Sequence, residues 1–145
     1  MTNEYSFKIA STSEEKTEAQ RIRHLVFMDE QKIPAELDDD GFNEDAFHAL
    51  CLKGNETVAT GRLVIPEPGK GVLARIAVLP AHRGAGLGQR IVGLLENVAV
   101  EQGVQEISLL PHAYLEKFYK DLGYTRIAGT SVVGEHELIT MKKSF

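Results

Sequence analysis

Apolar and polar residues follow two different spacings in the first part of the chain, and each spacing predicts one type of element. Between residues 5 and 9 every second residue is apolar, which predicts a first strand with one buried face. Spacings of three and four residues then predict an amphipathic helix, with apolar positions at Ala19, Ile22, Leu25 and Val26. Residues 11–14 match a capping box that would start this helix, and we expect it to end near Met28.

The middle of the chain is rich in β-forming residues and predicts three strands. Residues 47–52 and 57–65 form the first two, joined by a turn at Gly54 and Asn55, and residues 66–71 are expected to be a loop. The third strand covers residues 73–79 and stops at Pro80, because proline donates no hydrogen bond to a sheet.

The last part of the chain predicts two helices and three strands. Apolar residues recur at helical spacing from residue 87 to residue 99, and Gly103 is a suitable stop. A strand at residues 107–110 and a short helix at 114–123 follow. Residues 125–128 and 137–141 form a closing pair of strands, with residues 129–131 and Gly134 in their connection. The order β-α-β-β-β-α-β-α-β-β predicts one mixed-sheet α/β domain over residues 1–145.

Length and composition are typical of one globular domain. A chain of 145 residues suffices for a single core, and no apolar run approaches the roughly 18 residues of a membrane span. A polar N-terminus without a signal-peptide core and a single cysteine favour the cytoplasm. With a net charge of −5 and no run of lysine and arginine, we expect neither nucleic acid nor membrane as a partner.

Residues 29–45 are strongly acidic, and the run Asp-Asp-Asp-Gly at 38–41 raises the question of a calcium-binding loop. If Gly41 takes the sixth loop position, Glu36 falls at the first position and Phe47 at the twelfth, where a bidentate glutamate is needed. The calcium interpretation therefore fails. We expect a solvated acidic loop and no metal site.

The clearest chemical signal is residues 83–88, Arg-Gly-Ala-Gly-Leu-Gly, hereafter the glycine turn. Glycine lets a ligand approach backbone N–H groups closely, and a helix N-terminus favours an anion, so the turn suits a phosphate or diphosphate. A P-loop and a dinucleotide fingerprint both fail at Gln89, which replaces the residue that each motif needs there. A tight turn without a ligand remains the alternative.

Two motifs carry a resemblance to a known family. Arg83, Gly86 and Gly88 have the spacing of the acetyl-CoA-binding motif of the GNAT superfamily of N-acetyltransferases, which this turn resembles. Residues 118–124, Phe-Tyr-Lys-Asp-Leu-Gly-Tyr, resemble the signature that follows the fifth strand in the same superfamily. Residues 23–34, together with Asp38, Asp40 and His48, are similar to its ElaA-like branch.

The resemblance implies the GNAT fold, an α/β fold whose mixed central sheet is flanked by helices and splayed between its fourth and fifth strands. It also implies acetyl-CoA as cosubstrate, with its pantetheine arm bound by backbone groups near Ile76, Ala77 and Val78. The implied diphosphate contacts are the N–H groups of the glycine turn and the next residue: Arg83, Gly84, Ala85, Gly86, Leu87, Gly88 and Gln89.

The implied activity is transfer of an acetyl group to a primary amine, in a small molecule or a protein, by direct attack. Tyr119 matches the family's usual general acid, and its phenol, with a reference pKa of about 10, carries its proton at pH 7. The general base stays open, because Ala74 stands where relatives often carry glutamate; Glu30 and His48 are the remaining candidates. Ala74 also motivates an alternative function, a catalytically weak or inactive acyl-CoA-binding sensor or interaction module.

Three further residues match the acceptor side of the family's site: Arg23, Phe27 and His112. Packing in the core is the competing interpretation for His48 and Tyr119, and Cys51, between two leucines of a strand, is interpreted as core. Homodimers are common in this superfamily. The sequence leaves the oligomeric state, the acceptor amine and the preferred acyl length open.

Overall fold

A seven-stranded sheet forms the centre of the computed structural model, which describes residues 5–30, 46–133 and 136–145. Its strands are β1 (Tyr5–Ile9), β2 (Phe47–Lys53), β3 (Glu56–Glu67), β4 (Lys70–Val78), β5 (Glu106–Leu109), β6 (Thr125–Val133) and β7 (His136–Ser144). The helices are α1 (Ser13–Arg23), α2 (Leu87–Glu101) and α3 (Glu116–Asp121). Within these ranges, no helix combines the length and the apolar character needed to cross a membrane. The predicted order of elements and the α/β class are confirmed.

The sheet opens between β4 and β5. The strand order is β1-β2-β3-β4-β5-β7-β6, and β4 and β5 run parallel to each other. Their ladder extends from the pair Lys70–Glu106 to the pair Leu73–Leu109, whereas β4 continues to Val78 along β3. The predicted splaying is therefore confirmed, and it begins after Leu73.

A β-bulge lies in β4 at the start of this split. Thr60 pairs with Ala77 and Arg62 with Ala74, so two residues of β4, Arg75 and Ile76, face Gly61 alone. Arg75 has a φ of 59°, in the left-handed region that non-glycine residues rarely adopt. A bulge bends its strand, and this one lies just beyond the last β4–β5 pair, Leu73–Leu109.

Gly61 is the residue that leaves room for the bulge. An ideal Cβ built on it would lie 2.5 Å from Ile91 Cγ2 and 2.7 Å from Ile76 Cδ1. Ile91 belongs to α2, so a side chain at this position would collide with the helix and with the bulge at once.

Helices cover both faces of the sheet. On one face, α2 packs through Ile91 and Leu95 into a core that includes Cys51 of β2. On the other face, Ala19 of α1 packs on Leu50, the neighbour of Cys51 in β2. Burial raises the pKa of the Cys51 thiol to about 11, so the thiol stays neutral, as its interpretation as a core residue requires.

The start and the end of α1 differ from the prediction. The capping box exists one residue later than expected: the Glu15 N–H donates to Thr12 Oγ1 at 3.1 Å, and the Thr12 N–H donates to Glu15 Oε1 at 3.3 Å. The α-helical geometry ends at Arg23, before the expected Met28, and the chain continues as a π-helical segment, His24–Glu30. The apolar periodicity continues through this segment, which is why the sequence pattern alone did not reveal the change.

Two predicted loops are wrong. Residues 66–71 belong mostly to β3 and β4, with a tight turn between them, and the register shift between Val64 and Glu67 accommodates Pro66. Residues 129–131 lie inside β6, and the register of its pairing with β7 shifts between Ala128 and Ser131. Gly134 lies outside the described residues, and so do residues 31–45 of the acidic segment.

Candidate active site

The glycine turn connects β4 to α2 directly beside the split. A 3-10 turn, Pro80–His82, follows the strand, and α2 begins at Leu87. Gly84 and Gly86 have φ angles of 88° and 75°, so both adopt the left-handed conformation that glycine tolerates best. Gly86 is the N-cap of α2, and no side chain within the described ranges caps that end. The N–H groups of the first turn are therefore available to an anion.

The predicted diphosphate residues form one continuous stretch of this turn. Arg83, Gly84 and Ala85 are exposed, Gly86 and Gly88 are half-buried, and Leu87 is buried in the core. Gln89 is exposed in the first helical turn, and its Oε1 lies 3.4 Å from an ideal Cβ built on Gly86. The side chain of Leu87 thus anchors a turn whose first three residues are exposed.

Arg83 ties the glycine turn back to the end of β4. Its Nε donates to the Val78 carbonyl at 2.9 Å. The Leu79 N–H donates to the Val58 carbonyl of β3, so by the alternation of an antiparallel ladder the peptide groups of Val78 point away from β3. They point toward the split, where the guanidinium group of Arg83 adds positive charge.

The other predicted residues of β4 form one side of the split. Ile76 belongs to the bulge, and the Ala77 side chain packs on Ile22 of α1 and Val26 of the π-helical segment. Phe27 contacts the same small cluster and is half-buried. The structure therefore brings Ala77 and Phe27, which are far apart in sequence, to the same side of β4.

Tyr119 lies in α3, next to the start of α2. An ideal Cβ built on Gly88 would lie 3.4 Å from Cζ of Phe118, so the ring preceding Tyr119 contacts the glycine turn. Tyr119 is 5% exposed, and its ring packs edge-on against Phe118 and Tyr124 at centroid distances of 4.9 and 5.9 Å. Burial raises the pKa of Tyr119 to about 12. Packing and proton donation are thus compatible, because a packed phenol with this pKa keeps its proton at neutral pH.

His112 lies on the opposite side of the split, just after β5. It forms an isolated antiparallel bridge with Leu138 of β7, and its ring centroid is 5.1 Å from that of Tyr114 at an interplanar angle of 30°. His112 is half-buried, whereas Tyr114 is largely exposed. The histidine is therefore held by backbone and ring contacts at the end of the strand that borders the split.

His48 and Arg23 lie on the face of the sheet that α1 covers. Side chains alternate along a strand, so His48 shares the face of Leu50, which contacts α1. Arg62 of β3 is the cross-strand partner of His48, and it shares this face. Arg23, His48 and Arg62 are all buried. Glu30 ends the π-helical segment, and its side chain lies outside the described part of the chain.

Arg62 is a further buried residue beside His48, and the sequence analysis did not include it. It stands in a run of small and apolar residues of β3. A charged residue in such a strand is the sequence signal that could have identified it. Its position opposite His48 depends on the β2–β3 register, which the sequence did not specify residue by residue. The buried face therefore carries more positive charge than the prediction included.

Comparison with known proteins identifies this architecture. The model of the acetyltransferase (GNAT) family matches residues 11–124. YjcF of Bacillus subtilis strain 168, an uncharacterized N-acetyltransferase, is 35% identical over 116 residues, which are 80% of this chain and 82% of YjcF. The crystal structure of Escherichia coli ElaA has a TM-score of 0.83 at 24% identity and covers 97% of this chain and 99% of its own. A GNAT family acetyltransferase from Elizabethkingia anophelis with acetyl-CoA bound has a TM-score of 0.77 at 10% identity, over 99% of this chain and 100% of its own. Because the family match spans most of its length, the chain belongs to the acetyltransferase (GNAT) family.

Proposed function

We propose that the protein is an acetyl-CoA-dependent N-acetyltransferase that transfers an acetyl group to a primary amine by direct attack. One observation carries this proposal: the β4–β5 ladder stops at Leu73 and Leu109, and the glycine turn lies at the end of the freed part of β4. A split bordered by the freed end of β4, with an anion-binding helix N-terminus at its mouth, suits a long ligand that carries a diphosphate. The acetyl-CoA bound to the structurally similar Elizabethkingia anophelis protein supports the same ligand.

In this proposal the glycine turn holds the diphosphate, and the end of β4 holds the pantetheine arm. The left-handed Gly84 and Gly86 fit a ligand close to the backbone, because neither brings a Cβ into the turn. The Val78 N–H points into the split, next to Ile76 and Ala77 of the same strand, whereas the Val78 carbonyl accepts from Arg83 Nε. Acetyl-CoA supplies the activated acetyl group, and the residues of this chain bind, orient and move protons.

Two proton transfers are required of the protein. A lysine-like amine has a pKa of about 10.4, so it must lose a proton before it attacks. We propose Glu30 or His48 for that role. The neutral amine attacks the thioester carbonyl, the C–S bond breaks, and Tyr119 donates its phenolic proton to the departing sulfur, for which its raised pKa of about 12 keeps it in the donating form. The proton that the new amide nitrogen releases restores the phenol.

The acceptor is proposed to approach from the side of α1 and the π-helical segment. Arg23 and Phe27 belong to that side, and His112 belongs to the β5 side of the split. The run of residues 23–34 and the similarity to ElaA support membership of the ElaA-like branch. A cytoplasmic location is an expectation of the same proposal, and the oligomeric state, for which a homodimer is one option, stays open.

The direct test is amine-dependent release of the CoA thiol from acetyl-CoA. The protein is incubated with acetyl-CoA and a panel of polyamines, amino acids, aminoglycosides and lysine peptides, and free thiol is measured. We expect release that requires both the protein and one class of amine. Binding of acetyl-CoA by calorimetry without release for any amine would instead support the sensor alternative, and no binding at all would contradict both functions.

Gly86→Ala should weaken acetyl-CoA binding about tenfold, because roughly 1–2 kcal/mol of strain drives the free turn out of the left-handed conformation, which binding must then restore. The dissociation constant is measured by calorimetry. Gly69→Ala is the matched control: Gly69 has a φ of 83° and lies in the turn at the opposite end of β4. The control should lose comparable stability and bind acetyl-CoA normally. Equal affinities for the two variants would argue against the glycine turn as the binding site.

A further inference from the structure

Three polar side chains form a contiguous group behind Tyr119, hereafter the Glu96–Tyr124–Lys143 network. The Tyr124 hydroxyl donates to Glu96 Oε2 at 2.8 Å, and Lys143 Nζ lies 3.1 Å from the same oxygen. The Glu96 and Lys143 side chains are only 16% and 25% exposed. Salt and water therefore screen this ion pair less than a surface pair, and its geometry is better defined.

Lys143 also holds the turn at the end of α3. Its Nζ donates to the Leu122 carbonyl at 2.9 Å, and an ideal Cβ built on Gly123 would lie 3.1 Å from Lys143 Cε. The Leu122 and Tyr124 N–H groups both donate to the Tyr119 carbonyl at 3.0 Å. The backbone of Tyr119 is thus bonded directly to the turn that Lys143 fixes.

The network joins the two helices that carry the two sequence motifs. Glu96 belongs to α2, which begins at the glycine turn, and the Tyr124 ring packs edge-on against Tyr119 of α3 at 5.9 Å and 84°. Near the other end of α3, Phe118 contacts Gly88. The two helices are therefore tied at two points, one on each side of Tyr119 in sequence.

We propose that Glu96 and Lys143 are positioning residues for acetyl transfer. Acting through Tyr124 and the turn at residues 122–124, they fix the Tyr119 hydroxyl relative to the glycine turn. Neither residue takes part in the chemistry. The inference rests on the proposed function for its kinetic consequence, but the placement of the Tyr119 ring is measurable without turnover.

The kinetic test uses Glu96→Gln, which removes the charge and keeps the shape. We expect kcat to fall about tenfold with the KM for acetyl-CoA within about twofold, because misplacement of a proton donor affects the transition state more than cofactor binding. Glu106→Gln is the matched control, since it removes the 3.1 Å ion pair of Lys142, the neighbour of Lys143 in β7. The control should retain the wild-type kcat.

Two further readouts separate positioning from general stability. In a Tyr119→Phe background, Glu96→Gln should lower kcat no further, whereas a purely structural role would lower kcat equally in both backgrounds. The ¹³C signal of the Tyr119 ring, observed in protein with labelled tyrosine, should shift in Glu96→Gln and in Lys143→Met but not in Glu106→Gln. Lys143→Met leaves both partners of the Tyr124–Glu96 hydrogen bond in place and is therefore the second variant.

The outcomes of the two proposals are distinguishable. A Tyr119 signal that is the same in Glu96→Gln, Lys143→Met and the control would overturn the positioning inference, whatever the activity. Wild-type protein that releases no CoA thiol with any amine would contradict the proposed function, and the Tyr119 signal would still decide the positioning inference. A shifted signal with an unchanged kcat in an active enzyme would also overturn it.

Discussion

Tyr119→Phe is expected to lower kcat by about 10²–10⁴ while leaving acetyl-CoA binding unchanged. Phenylalanine keeps the edge-on ring contacts with Phe118 and Tyr124 and removes only the hydroxyl. The loss should therefore appear in the chemical step, and steady-state kinetics with an amine from the panel measure it. Tyr114→Phe is the control, because it removes the hydroxyl of a ring that is 74% exposed. Equal kcat values in wild type and Tyr119→Phe would exclude Tyr119 as the acid.

The raised pKa of Tyr119 leads to a prediction for the pH dependence of kcat. Because burial raises it to about 12, the phenol keeps its proton below that pH and loses it only above. A decline of kcat that begins near pH 9 or 10 would therefore have to come from another group. Such a decline, if it disappears in Tyr119→Phe, would contradict the assignment of a strongly raised pKa to the buried phenol.

Gly61→Val is expected to destabilise the fold by about 3 kcal/mol, at the upper end of the range for overpacked cores. The valine would meet Ile91 Cγ2 and Ile76 Cδ1, since even a Cβ there lies 2.5 and 2.7 Å from them. Because Ile76 belongs to the bulge at the split, acetyl-CoA affinity should fall together with stability. Denaturant unfolding and calorimetry measure the two effects.

Gly93→Ala is the control for this substitution. Gly93 lies inside α2, and an ideal Cβ there meets no atom within 4 Å. Alanine should stabilise the helix by about 0.5–1 kcal/mol, because glycine loses more backbone freedom on folding. A lower stability in Gly61→Val together with a higher stability in Gly93→Ala would support the close packing of β3, the bulge and α2. An unchanged stability in Gly61→Val would show that the bulge accommodates a side chain at little cost.

Local patterns predicted the elements that depend on local chemistry. The alternation from Tyr5 to Ile9 and the glycine turn before α2 both reappear in the structure. Errors arose where tertiary pairing overrides local preference: residues 129–131 look like a turn, yet pairing with β7 extends β6 through them. The π-helical geometry after Arg23 keeps the apolar face of a helix, so the periodicity does not distinguish it from an α-helix.

Only the parts of the candidate site that belong to sequence motifs could be predicted. Tyr119 and the glycine turn stand in recognisable patterns, and the structure brings them together through Phe118 and Gly88. Glu96 and Lys143 are 47 positions apart and belong to no motif, so their contact depends on how α2 crosses toward β7. Contacts of this kind can be recognised only once the fold is known. The sequence analysis therefore did not include the Glu96–Tyr124–Lys143 network.

The short parallel ladder joins two parts of the sheet, β1–β4 and β5–β7. Four residue pairs, from Lys70–Glu106 to Leu73–Leu109, join the backbone of the strands before the split to that of the strands after it. A ligand bound in the split would contact both parts and add to the ladder pairs that connect them. Amide hydrogens along β5 should then exchange more slowly when the ligand is bound, so that occupancy is reported by a strand that contains none of the proposed binding residues.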